Sequence, residues 1–256
     1  MFISSQHQTQ SFVRRMRRVL SIGKNTRIVR SLRLDLLLHY LQFHGAWQIK
    51  ALPDDIGDLV PQVFTVKTTD IRYGGWPPIA HRKSGFMVLD GAWDVCSKVP
   101  IETFMDTNVF CRSIREIYIE GKNYKETAQY REMVENMHSG SPQRNCTSYQ
   151  NIDDYFENLH NVYLTISKEG YKSQSELGTD TPLHEIMVYI DRNGVLQKQK
   201  GDGHHRLAIA RMLNIEKIPV CILGVHSQWA ESCKQKYGGD VVSAIICGMQ
   251  EEIATV

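Results

Sequence analysis

The stretch from Gly201 to Leu213 constrains the fold of this chain more than any other segment. It is preceded by an apolar run, Ile186 to Ile190, and by a turn at Asn193-Gly194. Within it, apolar residues from Leu207 onward recur at the spacing of one helical face, and the residues around them have good helix propensity. The sequence therefore predicts a strand, a turn, a polar loop and then the start of a helix.

The polar loop carries residues suited to binding an anion. A helix start offers unpaired backbone N–H groups and a partial positive charge, which attract phosphate above all. Gly203 lets the backbone turn tightly or approach a ligand, and Arg206 can place two hydrogen bonds on a phosphate or carboxylate. His204 and His205 are adjacent, so we expect one to face the site while the other packs or caps. Asp202 is either the N-cap of the helix or a base or metal ligand.

A longer pattern resembles a known superfamily. The segment from Asp202 to Ala210 reads DGHHRLAIA and is followed by Leu213, by Ile218-Pro219-Val220 and by a closing apolar strand. This order is similar to the signature of the ParB/sulfiredoxin superfamily, and the resemblance covers Tyr155 to His226 well and the earlier half loosely.

The resemblance implies an α+β fold in which a small mixed sheet is flanked by helices. We accordingly expect a ParB/sulfiredoxin-like domain over residues 56–256, with a helical insertion at about 101–150. Residues 1–55 are expected to form a basic helical extension in front of it.

This chain differs from two branches of the superfamily at the residues of the loop. The activities of those two branches are therefore disfavoured. Sulfiredoxins have a catalytic Cys where this chain has His204, so sulfinic acid reduction is disfavoured. Chromosome-partition members hold a nucleotide with a Gly-Glu-Arg-Arg box, of which Gly203 and Arg206 match the ends while His204 and His205 replace the middle. The chain after Val220 also leaves little room for their helix-turn-helix domain. A third branch phosphorylates small hydroxylated molecules with a nucleotide, and its Asp-Gly-His-type loop is the closest match.

The resemblance to this third branch implies ATP or ADP together with Mg²⁺, and it suggests specific residues. The residues implied to bind the nucleotide lie in the loop or at the entry to the preceding strand: Gly203, His204, Arg206 and Gln174. The residues implied to take part in catalysis add an acid from the earlier helical region: Asp202, His204, His205 and Glu157. Glu169 is a second candidate for that acid. No residue is assigned as a metal ligand.

Bulk properties exclude several other classes of protein. The hydrophobic content is 42% of 256 residues, which suits a globular core, and the net charge of +2 requires no polyanionic partner. The six Cys include no CxxC pair, so reduced thiols are favoured over a zinc site or a disulfide framework. No apolar run reaches the roughly 20 residues of a membrane span. We expect a soluble, cytoplasmic protein; the sequence leaves the oligomeric state open.

The first part of the chain is strongly basic, with no acidic residue before Asp35. Apolar residues between Phe12 and Leu20 fall roughly on one helical face, which predicts a basic amphipathic helix, and 34–47 reads as a second helix. One interpretation is a solvated helix docked on its own domain; the alternative is contact with a membrane surface or nucleic acid. The segment lacks the pattern of a secretory signal.

The middle of the chain reads as helical, with pieces between Ile101 and His138 and a well-marked helix from Asp153 to Glu169 that ends at Gly170. Trp76 and Trp93 either stack on a base or sugar or plug the edge of a core. Two further residues are secondary site candidates: Arg144 if its loop folds over the anion site, and His226 at the end of a strand.

Two functions from different classes compete. The favoured one is a nucleotide-dependent phosphotransferase acting on a small hydroxylated substrate, in which an acid accepts the hydroxyl proton. The alternative is a nucleic-acid-binding or nuclease module of the ParB-like type, and a third hypothesis is nucleotide-gated binding without chemistry. The favoured hypothesis requires His204 and Arg206 to face a cleft rather than the packed interior.

Overall fold

The computed structural model of this chain describes residues 47–48, 62–75, 86–96, 98–179, 184–199 and 203–254. The chain divides into two units, residues 1–48 and 49–256. Of the first unit, only the two-residue strand β1, Trp47–Gln48, is described. The basic helical extension expected over residues 1–55 therefore lies almost wholly outside the described residues.

The second unit is built on a mixed sheet. Its strands are β2 (Gln62–Lys67), β3 (Ile71–Gly75), β4 (Met87–Gly91), β5 (Lys98–Pro100), β6 (Ile186–Ile190), β7 (Leu196–Gln199) and β8 (Lys217–His226). They lie in the order β4, β8, β6, β7, β3, β5. Strand β2 pairs antiparallel with the first part of β8, and β4 pairs parallel with its last part.

The strands of the sheet run in two directions, so different strands begin and end at its two edges. Strands β4, β8 and β6 run parallel, whereas β7 and β3 run the opposite way. The edge where β6 begins is therefore the edge where β3 and β7 end. The opposite edge collects the carboxyl ends of β4, β6 and β8.

Strands β6 and β8 lie where the sequence predicts apolar strands, and the short segments Val63 to Val66 and Met87 to Leu89 predict β2 and β4. Strand β7 is different: the sequence predicts only a turn between β6 and the polar loop, and that prediction was wrong. Its residues, LQKQ, are mostly polar and yet all buried, so a pattern of hydrophobicity does not reveal them.

Helices cover the sheet and supply most of the remaining core. They are α1 (Trp93–Cys96), α2 (Ile101–Thr107), α3 (Val109–Tyr118), α4 (Ala128–His138), α5 (Tyr149–Glu169), α6 (His204–Met212), α7 (Ser227–Tyr237) and α8 (Val241–Gly248), and a π-helical turn, Met249–Ile253, follows α8. The α+β class is thus confirmed. No helix in the described ranges is long and apolar enough to cross a bilayer.

Capping residues determine where several helices begin. Asn108, Thr127 and Ser148 accept hydrogen bonds from the first-turn amides of α3, α4 and α5. The sequence suggests Asp153 or Asp154 as the cap of α5, and this was wrong because Ser148 caps it one turn earlier. The end of α5 at Gly170 is confirmed, with a left-handed φ of 80°.

The main core lies between the helices and one face of the sheet. Alternate residues of β6, namely Ile186, Val188 and Ile190, pack there with Leu207 of α6 and Phe156 of α5. Burial of these side chains anchors α6 on the sheet, which determines where its first turn lies.

Candidate functional site

Helix α6 begins against the start of β6 because residue 203 has no side chain. Gly203 has φ of 82°, a left-handed conformation that glycine adopts readily. A Cβ atom built on it would lie 3.0 Å from both Cα and Cγ1 of Ile186. The close approach brings the positive end of the α6 dipole to the edge where β7 ends and β6 begins.

The imidazole of His204 lies in the packed interior. Its side chain is 5% exposed and stacks on the rings of Phe104 and Phe110, with centroid distances of 5.6 and 5.8 Å. Its carbonyl oxygen accepts a weak hydrogen bond from Cys111 Sγ at 3.6 Å. The cleft-facing position that the sequence hypothesis requires of His204 is not the one observed, because these two rings enclose it.

His205 joins α6 to three other helices. Its Nε2 is 2.9 Å from Gln129 Oε1 in α4, and its Nδ1 is 3.5 Å from the hydroxyl of Tyr155 in α5. Gln129 Oε1 also accepts a hydrogen bond from Ser113 Oγ of α3. Burial, with a smaller effect of the Arg144 charge, lowers the pKa of His205 to about 3. The ring is therefore neutral at pH 7, and its nitrogens are used in holding α6 in place.

Arg206 uses part of its hydrogen-bonding capacity within the protein. Its Nη2 donates to the carbonyl oxygen of His184, and its Nη1 is 3.5 Å from Glu185 Oε2. The arginine side chain is 19% exposed and that of Glu185 only 1%. Burial raises the pKa of Glu185, although the backbone N–H of Gln174 and the charge of Arg206 oppose the shift. Gln174 thus reaches this edge through its backbone amide, which donates to Glu185 Oε1.

A lysine that the sequence analysis did not identify lies at the same edge. Lys198, near the end of β7, is fully buried, and its Nζ donates to the carbonyl oxygen of Gln199 at 2.5 Å. Burial lowers its pKa to about 7; the nearby Cys111 thiol opposes this, and the charge of Arg206 adds to it. Burial in turn raises the pKa of Cys111 to about 12, so that residue remains a thiol.

Three acids are suggested from the sequence. Glu157 and Glu169 are exposed on α5, and Glu169 pairs with Lys172. Asp202 lies outside the described residues. The acid that lies beside Arg206 is Glu185, which directly precedes β6 and is not among the three.

Arg144 approaches the same helix from its loop. Its guanidinium carbon lies 5.8 Å from the ring centroids of both Phe110 and Tyr155. Its charge contributes to lowering the pKa of His205. Arg144 itself has φ of 50°, a left-handed conformation that is uncommon for a non-glycine residue. The loop therefore adds positive charge beside the first turn of α6.

His226, the secondary candidate, has a structural role at the opposite edge. It is fully buried; its Nδ1 accepts from the Gln228 amide at 3.0 Å, and its Nε2 donates to the Gly91 carbonyl at 2.9 Å. Trp93 stacks on it with a centroid distance of 5.8 Å, as expected for a tryptophan that plugs a core. Trp76 lies outside the described residues.

The edge where β7 ends is thus a place where positive charge gathers, at Lys198, Arg206 and the first amides of α6. Within the described ranges no three His, Cys, Asp or Glu side chains cluster in a way that would hold a metal ion. Comparison with known proteins found no matching family model, curated protein or solved structure.

Proposed function

We propose that this protein is a nucleotide-dependent phosphotransferase acting on a small hydroxylated substrate, and that the start of α6 binds the phosphates. One observation supports this above the others: the fully buried Lys198 lies beside Arg206 at the positive end of a helix. The resemblance of the DGHHR loop to nucleotide-using relatives points the same way.

The surroundings of Lys198 disfavour its charged form. Burial lowers the pKa of Lys198 to about 7 and the nearby Arg206 charge adds to the shift, although Glu185 lies 3.5 Å from Arg206 and offsets part of that charge. A phosphate group bound among them would reverse the balance, since it favours the protonated amine and accepts hydrogen bonds from the guanidinium. The site therefore suits an anion better than a neutral or cationic ligand.

The parts of the chain would contribute in different ways. Lys198 and Arg206 neutralise phosphate charge, and Gly203 allows α6 to begin close against β6. His205, neutral and bonded to Gln129 and Tyr155, keeps the first turn of α6 in position. Mg²⁺, bound with the nucleotide phosphates, would screen their negative charge. The imidazole of His204, which Phe104 and Phe110 enclose, takes no part in the proposed contacts. The hypothesis from the sequence, which required both His204 and Arg206 at the site, is therefore replaced by one that relies on Lys198 and Arg206.

A binding experiment tests the proposal. We expect ATP or ADP with MgCl2 to raise the melting temperature of the wild-type protein, by the equivalent of about 2.7 kcal/mol when the nucleotide is at about 100 times Kd. The Lys198→Met variant should bind about 10- to 100-fold more weakly, because a charged hydrogen bond contributes about 1.5–3 kcal/mol. Calorimetry measures both affinities.

Lys168→Met is the matched control, since Lys168 is exposed on α5. It should bind nucleotide as the wild type does. The proposal fails if no nucleotide shifts the melting temperature, or if Lys198→Met binds as tightly as Lys168→Met. A protein that instead binds DNA or RNA with steep salt dependence would favour the nucleic-acid-binding alternative, whose basic residues lie outside the described part of the chain.

A further inference from the structure

Three buried polar atoms meet beside the first turn of α6, and each lacks a hydrogen-bond partner among the described residues: Tyr171 Oη, Glu185 Oε2 and Arg206 Nη1. The last two are 3.5 Å apart. Burial raises the pKa of Tyr171, while the charge of Arg206 and a hydrogen-bonding contact with it oppose the shift. The tyrosine hydroxyl is therefore close to the guanidinium, in a contact that falls short of normal hydrogen-bond geometry.

Glu185 and Arg206 each form a hydrogen bond through another of their polar atoms. Glu185 Oε1 accepts from the Gln174 amide, and Arg206 Nη2 donates to the His184 carbonyl. These bonds hold the carboxylate and the guanidinium in fixed orientations. A buried polar atom without a partner costs about 1–3 kcal/mol, and native proteins contain few of them. Three such atoms lie together here, two of them 3.5 Å apart, on side chains anchored in this way.

The charges and hydrogen-bonding groups of this cluster define what would fit. Glu185 Oε2 accepts, Arg206 Nη1 donates, and the Tyr171 hydroxyl does either. One carboxylate and one guanidinium cancel, so the cluster carries no net charge to attract an anion or a cation. An alcohol hydroxyl complements it, because that group donates one hydrogen bond and accepts others.

We propose that Tyr171, Glu185 and Arg206 bind the acceptor hydroxyl of the phosphotransferase substrate, and that Glu185 is the catalytic residue that removes its proton. The acceptor end of the substrate is therefore an uncharged alcohol. This inference rests on the proposed function, since it adds the second substrate to the phosphate site at the start of α6.

The reaction balances with these groups. The hydroxyl proton passes to Glu185 Oε2 as the substrate oxygen forms a bond to the γ-phosphorus of ATP. The bond from that phosphorus to the oxygen bridging the β-phosphate breaks, and ADP leaves with the electron pair. The raised pKa of Glu185 makes it a stronger base than an exposed carboxylate.

The test uses the full chain, ATP with Mg²⁺, and four acceptors: water, glycerol, lactate and ethanolamine. The readouts are ATP affinity by calorimetry and ADP release. We expect the wild type to release ADP faster with glycerol than with the charged acceptors. Glu185→Gln should bind ATP within about twofold of the wild type and release ADP at least about 100-fold more slowly, since general base catalysis contributes about 10²–10⁴-fold.

Two further variants provide a second probe of the acceptor site and a control. Tyr171→Phe removes one hydrogen bond to the acceptor and should raise KM for glycerol several-fold with a smaller effect on kcat. Glu231→Gln, an exposed carboxylate on α7, is the control and should behave as the wild type. The kcat of wild type should fall as the pH drops toward the raised pKa of Glu185, whereas ATP affinity should not fall with it.

Several outcomes would overturn the inference and leave the proposed function standing. One is ATP binding together with full activity in Glu185→Gln. Another is transfer to lactate or ethanolamine that is as fast as transfer to glycerol, or faster. A third is a large loss of transfer in Glu157→Gln with none in Glu185→Gln, which would assign the proton acceptor to the exposed acid of α5. Failure of the wild type to bind nucleotide would instead remove the proposed function itself.

Discussion

Because the amine of Lys198 is buried, we expect the free energy of unfolding of this protein to rise with pH. The pKa of Lys198 is about 7 in the folded protein, against 10.5 for an ordinary lysine. Between these values the unfolded chain binds the proton and the folded chain does not. The free energy of unfolding therefore rises with pH through this window, and below pH 7 the full cost of the buried charge is present.

Replacing Lys198 by Met should remove this dependence. The free energy of unfolding of the wild type should gain on the order of 3–5 kcal/mol relative to Lys198→Met between pH 7 and pH 10.5. Below pH 7 the variant should be the more stable protein, because a buried charge is replaced by an apolar side chain of similar length. Urea unfolding of both proteins at several pH values measures the difference. A difference that stays constant with pH would contradict the burial of a neutral amine.

At the scale of single elements, α6 is positioned by bonds and contacts from several directions. Cys111 of α3 donates to the His204 carbonyl, and Gln129 of α4 contacts His205. Beneath it, β6 approaches so closely that residue 203 has no room for a side chain. The start of this helix is therefore rigidly held, which suits a site that must present backbone amides in a fixed direction.

Substitution of Gly203 tests this arrangement. Gly203→Ala should lower the free energy of unfolding by more than the about 1–2 kcal/mol that the left-handed conformation alone costs, since its Cβ would press on the backbone of Ile186. Gly121→Ala is the matched control, because Gly121 has φ of 70° and nothing within 4 Å of the added atom. Chemical denaturation compares the two. Equal losses would show that the close approach to β6 contributes nothing.

At the scale of the whole molecule, the two edges of the sheet differ in how fully their charges are paired. At the edge where β4, β6 and β8 end, the Asp94 carboxylate accepts hydrogen bonds from Nε, Nη2 and the backbone N of Arg192. Burial would raise the pKa of Asp94, but these hydrogen bonds and the Arg192 charge lower it below 3.8. The paired charges give this edge a structural role, whereas at the other edge Arg206 lies 3.5 Å from Glu185, with Lys198 nearby.

Removing Arg192 should therefore destabilise the fold strongly. Arg192→Met leaves Asp94 buried without its partner, for which a loss of about 3–5 kcal/mol is typical. Asp94 contributes its stability above pH 3.8 and loses it as the pH falls through its lowered pKa, so the loss should shrink in acid. Arg115→Met, which breaks an exposed pair with Asp106, should cost under about 1 kcal/mol. Thermal unfolding at pH 7 and pH 3 separates these cases; equal losses in the two variants would be contrary evidence.

Local signals account for the part of this fold that the sequence predicted. Short, mostly apolar runs identify β2, β4 and β6, and the glycine at position 170 identifies the end of α5, because such signals act over a few neighbouring residues. The prediction failed at β7, whose buried residues are polar, and at the start of α5, where several residues were able to cap. Neither error involves the loop at 203–206, whose helix start is confirmed.

The sequence by itself determined that a helix follows the polar loop around Gly203, since helix propensity and glycine chemistry are properties of adjacent residues, and its resemblance to a known superfamily implied the α+β class. Only the tertiary structure decided that His204 is enclosed by phenylalanines, that Glu185 faces Arg206, and that Lys198 lies buried beside them. Those placements depend on which strands pair and which helices pack on them. Such pairings are selected by the burial of apolar surface summed over the whole domain, and no short stretch of the chain contains that sum.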